Sequence, residues 1–251
     1  MRSFLRFVAF GAMASAMAVS PPHSFQAPLA PPVCTGPIKS APSAFWLDQQ
    51  DHTGSARGYA PFIDGYYTFP VYRNVLNSPY FAQNDGSGDQ SGALQFALND
   101  DGRGGNRYQH GLTTEPAEVF LPGGIYQLRH TLDLRMGTII VGDPNNPPIL
   151  KAAPDFADET VINGYDFATG HPETSFMTLL KNVIIDTTAV QKDRPITALQ
   201  WGVAQGCGLT NVQIKMPSDS NGHTGINLSG GSTIAVTDVV RISFPFCQGW
   251  H

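Results

Sequence analysis

Three acidic side chains in the second half of the chain are the first candidates for acid–base chemistry: Glu173, Asp186 and Asp193. Acid–base catalysis needs one group that donates a proton and another that accepts one, both positioned at the reacting bond. Glu173 stands just before an apolar run, where it could face a groove and bind a substrate, or could be a solvated loop charge. Asp186 has Lys215 at the equivalent position 29 residues later, so the sequence predicts no column of acids there.

Trp201 is a second candidate for substrate binding, because an aromatic ring can line a sugar site. Its equivalent 27 residues later is Leu228, so a place in the apolar core is the alternative. The seven histidines have neither H-x-H nor H-E-x-x-H spacing, and the chain has no Asp-rich calcium loop. The sequence therefore predicts no metal site and no cofactor.

The elements that must position these residues repeat along the chain. Three segments share one template, an apolar residue, any residue, Asn or Asp, then Val and alternation: Leu180–Ile185, Leu209–Ile214 and Val236–Arg241. Their starts are 29 and 27 residues apart, and Thr197–Trp201 recurs 27 residues later as Thr224–Leu228. Such periods are typical of repeat architectures, and the apolar runs are too short for amphipathic helices.

The predicted fold class is all-β: a right-handed, single-stranded parallel β-helix with an N-terminal cap or arm and one short helix. Each coil should stack on the last at about 4.7–4.9 Å and add alternate residues to one apolar column. Val183, Val212 and Val239 should therefore align along the axis.

A second predicted column consists of Asn182, Asn211 and Asp238, one residue before each of those valines. Asn and Asp side chains commonly satisfy backbone groups in turns, so these residues should stack at a corner of the coils. That interpretation is favoured over a catalytic role.

The N-terminal half carries weaker signals. The aromatic-rich segment Phe45–Tyr72 predicts a packed cap or arm, with a sugar-binding platform as the alternative. A short helix is predicted over Gly92–Asn99, with Asp89 or Ser91 as N-cap and Gly102 as its stop, covering the edge of the first coil. Short strands are then predicted at Val119–Leu128 (strand, turn, strand), Leu132–Leu134, Thr138–Val141 and Ile149–Ala152.

Residues 1–20 have the pattern of a secretory signal peptide. Arg2 and Arg6 precede the apolar segment Phe7–Val19, and Ala16–Ala18 fits a small-residue cleavage site. The apolar core is too short to span a bilayer. A proline-rich leader over 21–44 and a β-helix domain over 45–251 should follow, in a secreted, extracellular protein without a membrane partner.

Composition excludes one class of partner and leaves the cysteines open. A formal charge of −5, with only 14% charged residues, gives no basic face for nucleic acid. Cys34, Cys207 and Cys247 allow three pairings with one thiol left over. Asn227, in the sequence Asn-Leu-Ser, is a candidate N-glycosylation acceptor.

Motifs in a fixed order resemble those of a known family. They are Phe45–Asp48, His52–Gly54, Ala60–Phe62, Val71–Val75, the Asp85/Asp89 turn, Val119–Tyr126, Gly142–Pro144, Pro147–Ala152 and Trp201–Gln205. Together they resemble the N-terminal half of the fungal exo-β-1,3-glucanases (glucan 1,3-β-glucosidases) of the pectate-lyase-like superfamily. This resemblance implies two tandem right-handed β-helices, a cleft between them, and inverting hydrolysis that releases glucose from chain ends.

The resemblance also implies site residues. Gln and Ser side chains on the first β-helix would hold the attacking water, and the matching positions are Gln205 and Ser232, 27 residues apart. The general acid would be a Glu on the second β-helix, to which nothing in this sequence corresponds. Gly202 and Gln90 depart from the family, which usually has Gln and Asp there.

Two hypotheses follow. In the first, the chain is the first domain of an inverting β-1,3-glucan hydrolase, incomplete and inactive alone, with a second β-helix domain as partner. In the second, it is a non-catalytic protein that binds a glycan or packs against a partner. An uncovered last coil would also make the chain poorly soluble when expressed alone.

Overall fold

The computed structural model describes residues 45–49, 70–107, 115–166, 171–228 and 230–244. The chain divides into two units, 1–39 and 40–251, and all described residues belong to the second. The predicted signal peptide, the leader over 21–44, Cys34 and Cys247 lie outside the described residues.

Short strands dominate the described residues. In chain order the elements are β1 Tyr72–Asn74, α1 Ser91–Asn99, β2 Ala117–Leu121, β3 Ile125–Leu128, β4 Leu132–Asp133, β5 Thr138–Gly142, β6 Ile149–Ala152, β7 Thr160–Asn163, β8 Leu179–Asp186, β9 Ile196–Gln200, β10 Cys207–Pro217, β11 His223–Asn227 and β12 Ile234–Phe244. Two short 3-10 helices, Trp46–Gln49 and Pro172–Thr174, lie outside this series.

Every pairing between these strands is parallel, and neighbours in a sheet come from successive coils. One sheet has the order β1-β2-β5-β8-β10-β12, with β3 paired to β6 and β6 to β8 alongside. The other has the order β11-β9-β7-β4. A chain that alternates between the same faces and always adds its next strand beside the last forms a parallel β-helix, as predicted.

The predicted register of the last coils is confirmed. Val183 pairs with Val212, and Val212 pairs with Val239. Val183 and Val212 are fully buried, and Val239 packs against the same core cluster. Thr197 likewise pairs with Thr224 in the second sheet.

The Asn/Asp column forms a coil corner, as predicted. Asn182, Asn211 and Asp238 have φ values of 55°, 51° and 52°, in the left-handed region that Asn and Asp tolerate better than most residues. The Asn211 Nδ2 atom donates to Asn182 Oδ1 at 3.0 Å, and Asn182 Nδ2 donates to the Gly142 carbonyl at 3.2 Å. One residue therefore turns each of these coils, and the side chains of Asn182 and Asn211 tie their coils to the one before.

The corner explains why the later strands are long. β8, β10 and β12 each run through it without interruption, whereas the earlier coils use separate strands. The segment 122–124 separates β2 from β3, and 143–148 separates β5 from β6.

The helix α1 closes the N-terminal end of the core. Leu94, Ala97 and Leu98 are buried in the main cluster. The N-cap is Gln90, so the prediction of Asp89 or Ser91 was wrong by one position. Asp89 acts from one residue further out, where its Oδ1 accepts the Ser91 N–H at 3.0 Å.

The helix ends at Asn99, as predicted, but the residue that stops it is not the predicted one. Asp100 is its C-cap, with φ −54°. Gly102, the predicted stop, has φ 74° and belongs to the turn that follows. The Gly102 N–H donates to Asp100 Oδ1 at 2.7 Å, so the aspartate carboxylate connects the helix end to this turn.

Arg73 is buried against the C-terminal end of α1. Only 1% of it is exposed, and its guanidinium donates to the carbonyls of Pro70, Ala97 and Asp100. Ala97 and Asp100 carry carbonyls that the last turn of a helix leaves without intrahelical donors, and a cation there also matches the helix dipole. Burial lowers the pKa of Arg73 below its ordinary value.

Arg107 also donates hydrogen bonds to backbone carbonyls near the C-terminal end of α1. It donates to the carbonyls of Leu98, Glu115 and Met136 at 2.8, 2.6 and 3.2 Å, and to the Thr138 hydroxyl. Burial lowers the pKa of Arg107 to about 9, so the side chain is still cationic at neutral pH. It joins the helix end to β2 and β5.

A small second cluster covers the outside of β1, β2 and β5. Leu47, from the first 3-10 helix, packs there on Phe120 with Phe45 and Tyr72 beside it. Part of the predicted aromatic cap is therefore a packed arm, whereas Trp46 is 59% exposed. The other predicted cap residues, 50–69, lie outside the described residues. In the part of the chain that the structure describes, no helix is long and apolar enough to cross a membrane.

Candidate functional site at a corner of the coils

A second column of left-handed residues forms the corner through which the chain enters the β5-β8-β10-β12 face. Gly137, Met177, Gly206 and Thr233 have φ values of 72°, 57°, 73° and 55°. Each stands two residues before positions that pair in register, Ile139 with Leu179, Leu179 with Gly208 and Gly208 with Ala235. The four residues are thus equivalent members of one corner.

Gln205 and Ser232 directly precede two members of this column, Gly206 and Thr233. The spacing predicted for them is confirmed: the Ser232 N–H donates to the Val203 carbonyl at 2.9 Å, which fixes the two turns one coil apart. Gln205 is exposed and Ser232 is half-buried. Their side chains therefore stand at the same place on neighbouring coils, accessible from solvent.

Glu173 belongs to the loop that leads into the same corner. It lies on the 3-10 helix Pro172–Thr174 and is exposed. The loop is fastened to the next coil because the Ser175 carbonyl accepts the Ala204 N–H at 3.0 Å and Met177 N–H donates to the Gln205 carbonyl at 3.2 Å. The structure thus brings the loop of Glu173 to the corner and leaves its carboxylate in solvent.

Trp201 is a core residue, so its predicted contact with a substrate is wrong. None of the side chain is exposed, and it belongs to the main apolar cluster. A Cβ atom at Gly164 would lie only 2.5 Å from the indole ring, so the glycine on the neighbouring coil makes room for it. The indole N–H has no hydrogen-bond partner among the described residues. Leu228, its equivalent on the next coil, is 49% exposed.

Asp166 is a corner residue that the sequence analysis missed. Its carboxylate is 1% exposed, accepts the Met136 N–H at 2.8 Å and lies 3.4 Å from an Arg135 nitrogen. Its own N–H donates to the Ser175 hydroxyl at 3.0 Å. These contacts connect two turns of the corner, so Asp166 stabilises the conformation of the corner. Nothing in the sequence spacing indicates this.

Cys207 is a buried free thiol at the start of β10. The Thr178 N–H donates to its sulfur at 3.2 Å, and the thiol donates to the Ser175 carbonyl at 3.0 Å. Burial raises the pKa of the Cys207 thiol, so at neutral pH it is a structural donor rather than a nucleophile.

The remaining acidic candidates do not form a catalytic pair. Asp186 pairs in register with Lys215, as predicted, and with Lys151 on the other side. Its Oδ1 accepts the Thr188 N–H at 2.8 Å, which is a turn contact. Asp193 is exposed. Within the described ranges, no three His, Cys, Asp or Glu side chains are grouped as a metal site would require.

Asn227 is the last residue of β11 and pairs with Gln200. Its carbonyl accepts the Trp201 N–H at 2.7 Å, and the residue is half-buried. Ser229 of the glycosylation motif lies outside the described residues, so modification of Asn227 stays a prediction.

Comparison with known proteins assigns the family. A family model described as "Rhamnogalacturonase A/epimerase, pectate lyase-like" matches residues 72–243. The chain belongs to this pectate lyase-like family. The match includes both corner columns and every strand given above except the last residue of β12.

Curated relatives support the glucanase resemblance. A glucan endo-1,3-beta-glucosidase of Trichoderma harzianum is 41% identical over 181 residues, 71% of this chain and 22% of that protein. A glucan 1,3-beta-glucosidase of Cochliobolus carbonum is 32% identical over 195 residues, 75% and 24% of the two chains. A non-secreted LysM effector of Penicillium expansum is 30% identical over 215 residues, 83% and 14%. The chain thus spans less than a quarter of the length of these relatives.

Proposed function

We propose that the chain is the first domain of a β-1,3-glucan glycosidase and that Gln205 and Ser232 hold the water that attacks the anomeric carbon. The observation that carries the proposal is their equivalent position on neighbouring coils, at an accessible corner. The substrate class comes from the names of the two glucanase relatives.

The chemistry of the two side chains suits this role. The Gln205 amide oxygen can accept a hydrogen bond from a water molecule, and the Ser232 hydroxyl can donate or accept one, so together they could orient its lone pair. Neither group can protonate a leaving oxygen, which inverting hydrolysis requires. The reaction therefore needs a proton donor in addition to this pair.

Two carboxylates at the corner, those of Asp166 and Glu173, are poor candidates for this proton donor. Asp166 is buried and bonded to the backbone of the corner, and Glu173 projects into solvent from a 3-10 helix. We therefore propose that the donor is a carboxylic acid on a second β-helix domain, and that this chain alone is inactive. Export directed by residues 1–20 is part of the same proposal.

The first experiment tests the chain alone. The purified 251-residue protein is incubated with laminarin, a soluble β-1,3-glucan, and reducing sugar is measured against a heat-inactivated sample. We expect no release above background. Robust release would mean that the acid lies within this chain, and Glu173→Gln would then be the first variant to assay.

A chimera tests the role of the corner. The 181-residue matching region of the Trichoderma relative is replaced by its counterpart from this chain, and hydrolysis of laminarin is measured. Gln205→Ala and Ser232→Ala should each lower kcat by about 10²-fold or more, the usual loss when general acid–base or water-positioning groups are removed. Gln213→Ala, on another face of β10, is the matched control and should leave kcat unchanged.

The product identifies the mode of attack. Proton NMR during hydrolysis should detect the α-anomer first if the reaction inverts. Glucose alone as product would indicate attack at chain ends. A ladder of oligosaccharides would indicate internal cleavage, as the word endo in the name of the Trichoderma relative suggests.

A non-catalytic role, in which the chain binds a glycan or packs against a partner, is the second candidate, because one of the similar proteins is named as an effector and not as an enzyme. A chimera that folds and binds laminarin but gives no turnover would support it. Loss of turnover in the Gln205 and Ser232 variants of an active chimera would exclude it.

A further inference from the structure

Met177 is an apolar residue that is exposed at the corner. Its side chain is 57% exposed, whereas Met136 and Met216, the other methionines that the structure describes, are each 2% exposed. One exposed apolar side chain is common on a protein surface. The backbone of Met177 is unusual as well, because its φ is 57°, in the left-handed region that most residues avoid.

The equivalent residues on the neighbouring coils show that this conformation does not require a long side chain. Gly137 and Gly206 occupy the same place one coil before and one coil after Met177. Glycine adopts a positive φ without strain, whereas a residue with a Cβ atom is destabilised there. Methionine at this position is therefore strained while most of its side chain remains in solvent. Backbone strain of this kind is commonly retained at functional sites.

Backbone hydrogen bonds on both sides hold Met177 in this conformation. The Gly137 N–H donates to the Phe176 carbonyl at 3.0 Å, and the Met177 N–H donates to the Gln205 carbonyl at 3.2 Å. The segment is thus bonded to the coil before it and to the coil after it. The backbone that carries the side chain is fixed before any ligand binds, so a ligand that contacts Met177 need not order the loop.

The side chain of Met177 lies beside the turn that carries Gln205. A Cβ atom at Gly206 would be 3.6 Å from Met177 Cγ, so the methionine side chain runs next to this glycine. Gln205 directly precedes Gly206, and Ser232 lies one coil further on. Since neighbouring coils are about 4.7–4.9 Å apart, the thioether is close enough to meet a sugar whose anomeric carbon faces the proposed water.

These three side chains together suit a neutral sugar. A pyranose ring carries hydroxyl groups at its edge and C–H groups on its faces, so it binds where hydrogen-bonding groups stand beside an apolar surface. Gln205 and Ser232 provide the hydrogen-bonding groups, and Met177 provides the apolar surface. The unbranched, polarizable side chain of methionine adapts readily to such a contact. A protein partner would instead need a large continuous surface, whereas Met177 stands between two glycines of its column.

We infer that Met177 contacts the substrate and contributes to its selection. Its thioether packs on the C–H face of the glucose unit whose anomeric carbon is attacked. The inference rests on the proposed function, because it takes the glucan and the position of the water from it. It adds an apolar contact from a coil that contributes neither Gln205 nor Ser232.

Methionine oxidation measures this contact directly in the 251-residue chain. Dilute hydrogen peroxide converts an accessible thioether to the sulfoxide, and peptide mass spectrometry gives the rate at each methionine. Met177 should be oxidised much faster than the buried Met136 and Met216. At a laminarin concentration of about ten times Kd, measured by affinity electrophoresis, oxidation of Met177 should be about tenfold slower, because roughly one site in ten is then empty.

Two controls accompany this measurement. Dextran at the same mass concentration should leave the rate at Met177 unchanged, which excludes consumption of peroxide by the sugar. The rates at Met136 and Met216 should not respond to laminarin. An unchanged rate at Met177 with laminarin bound, or no binding of laminarin by the chain, would overturn the inference. Protection of Met177 in the chimera without laminarin would mean that the rest of the relative covers it, which would also overturn the inference.

Kinetics of the active chimera separate this inference from the proposed function. Met177→Gly should lower kcat/KM for laminarin about tenfold, mainly by raising KM, as expected when an apolar contact with a substrate is lost. Met177→Leu, which keeps an apolar side chain of similar volume, should retain most of the activity. If Met177→Gly leaves kcat/KM unchanged while Gln205→Ala still lowers kcat, the inference fails and the proposed function stands. Full kcat in Gln205→Ala would contradict the proposed function and, with it, this inference.

Melting temperatures test the strain at Met177. Met177→Gly and Met177→Ala both remove the thioether and should bind laminarin equally weakly. Only glycine relieves the left-handed strain, so the glycine variant should melt about 1–4 °C above the alanine variant. An alanine variant at least as stable as the glycine variant would contradict the strain on which the inference rests.

Discussion

The left-handed conformation of Asn211 should reverse the usual order of stability between a glycine and an alanine variant. In a strand interior, glycine is normally less favourable than alanine by about 0.5–1 kcal/mol. At Asn211, φ is 51°, a region that costs an ordinary L-residue about 1–2 kcal/mol and glycine nothing. Substitution by glycine should therefore be tolerated better than substitution by alanine.

The magnitudes follow from two contributions. Both variants lose the hydrogen bond from Asn211 to Asn182, about 1 kcal/mol. Asn211→Ala adds roughly 1 kcal/mol of backbone strain, for a total of about 2 kcal/mol. At about 2–4 °C for each kcal/mol in a domain of this size, the alanine variant should melt roughly 4–8 °C below the parent chain. Glycine avoids the strain of about 1–2 kcal/mol but costs about 0.5–1 kcal/mol in backbone entropy, so the glycine variant should melt about 1–4 °C above the alanine variant.

Thermal unfolding followed by circular dichroism measures this difference, with Gln213 on the same strand as the matched position. At Gln213, an ordinary strand position, the order should reverse and the alanine variant should be the more stable. An Asn211→Ala chain at least as stable as the Asn211→Gly chain would refute the left-handed corner.

Three further predictions concern groups buried in or attached to the coils. Arg107→Met leaves several carbonyls without a donor and should destabilise the fold by about 3–5 kcal/mol, the usual result of breaking a buried charge network. Urea unfolding measures this change, and a loss below about 1 kcal/mol would contradict the role of Arg107. Cys207 should resist alkylation by iodoacetamide at pH 8 in the folded chain and react after unfolding, because burial raises its pKa; rapid native labelling, located by mass spectrometry, would disprove this. Secreted from yeast, the chain should carry an N-glycan that Asn227→Gln removes, and an unmodified parent mass would exclude that site.

The last coils could be predicted from sequence because each corner uses a single residue. With one left-handed Asn or Asp between faces, the pairing offset stays at 29 residues from β8 to β10 and 27 from β10 to β12. Because the offset is nearly constant, the same sequence motif recurs at nearly the same interval. The register of Val183, Val212 and Val239 can therefore be read from the sequence.

Earlier coils hide the same architecture behind turns of unequal length. The offset is 21 residues from β2 to β5, where Ala117 pairs with Thr138. It is 40 from β5 to β8, where Ile139 pairs with Leu179. When the offset varies this much, the sequence shows only the local pattern of each strand. The short strands could therefore be predicted, but their pairing could not.

The misjudged residues share a cause, which is contact across coils. Trp201 is buried because Gly164 vacates the space beside it, and Asn163, the neighbour of that glycine, pairs with Gln200. If that register had been known, the glycine 37 residues before Trp201 would have indicated that Trp201 lies in the core. Arg107 gave no signal at all, because arginine normally indicates surface and only the helix carbonyls beside it make burial possible.

The site was predictable in position but not in chemistry. Spacing placed Gln205 and Ser232 on neighbouring coils, which the backbone confirms. Their role came from resemblance, because an amide and a hydroxyl have no distinctive spacing of their own. The pairing of Asn163 with Gln200 could not be predicted, because these residues are 37 apart, outside the visible period.

A double-mutant cycle in the active chimera tests the central claim most directly, namely that two neighbouring coils act together on one water molecule. kcat for laminarin hydrolysis is measured for Gln205→Ala, Ser232→Ala and the double variant. If both side chains hold the same water, the second substitution should cost little once the first is made, so the double variant should be nearly as active as the weaker single one. Losses that simply multiply would mean that the two side chains act independently, contradicting the claim.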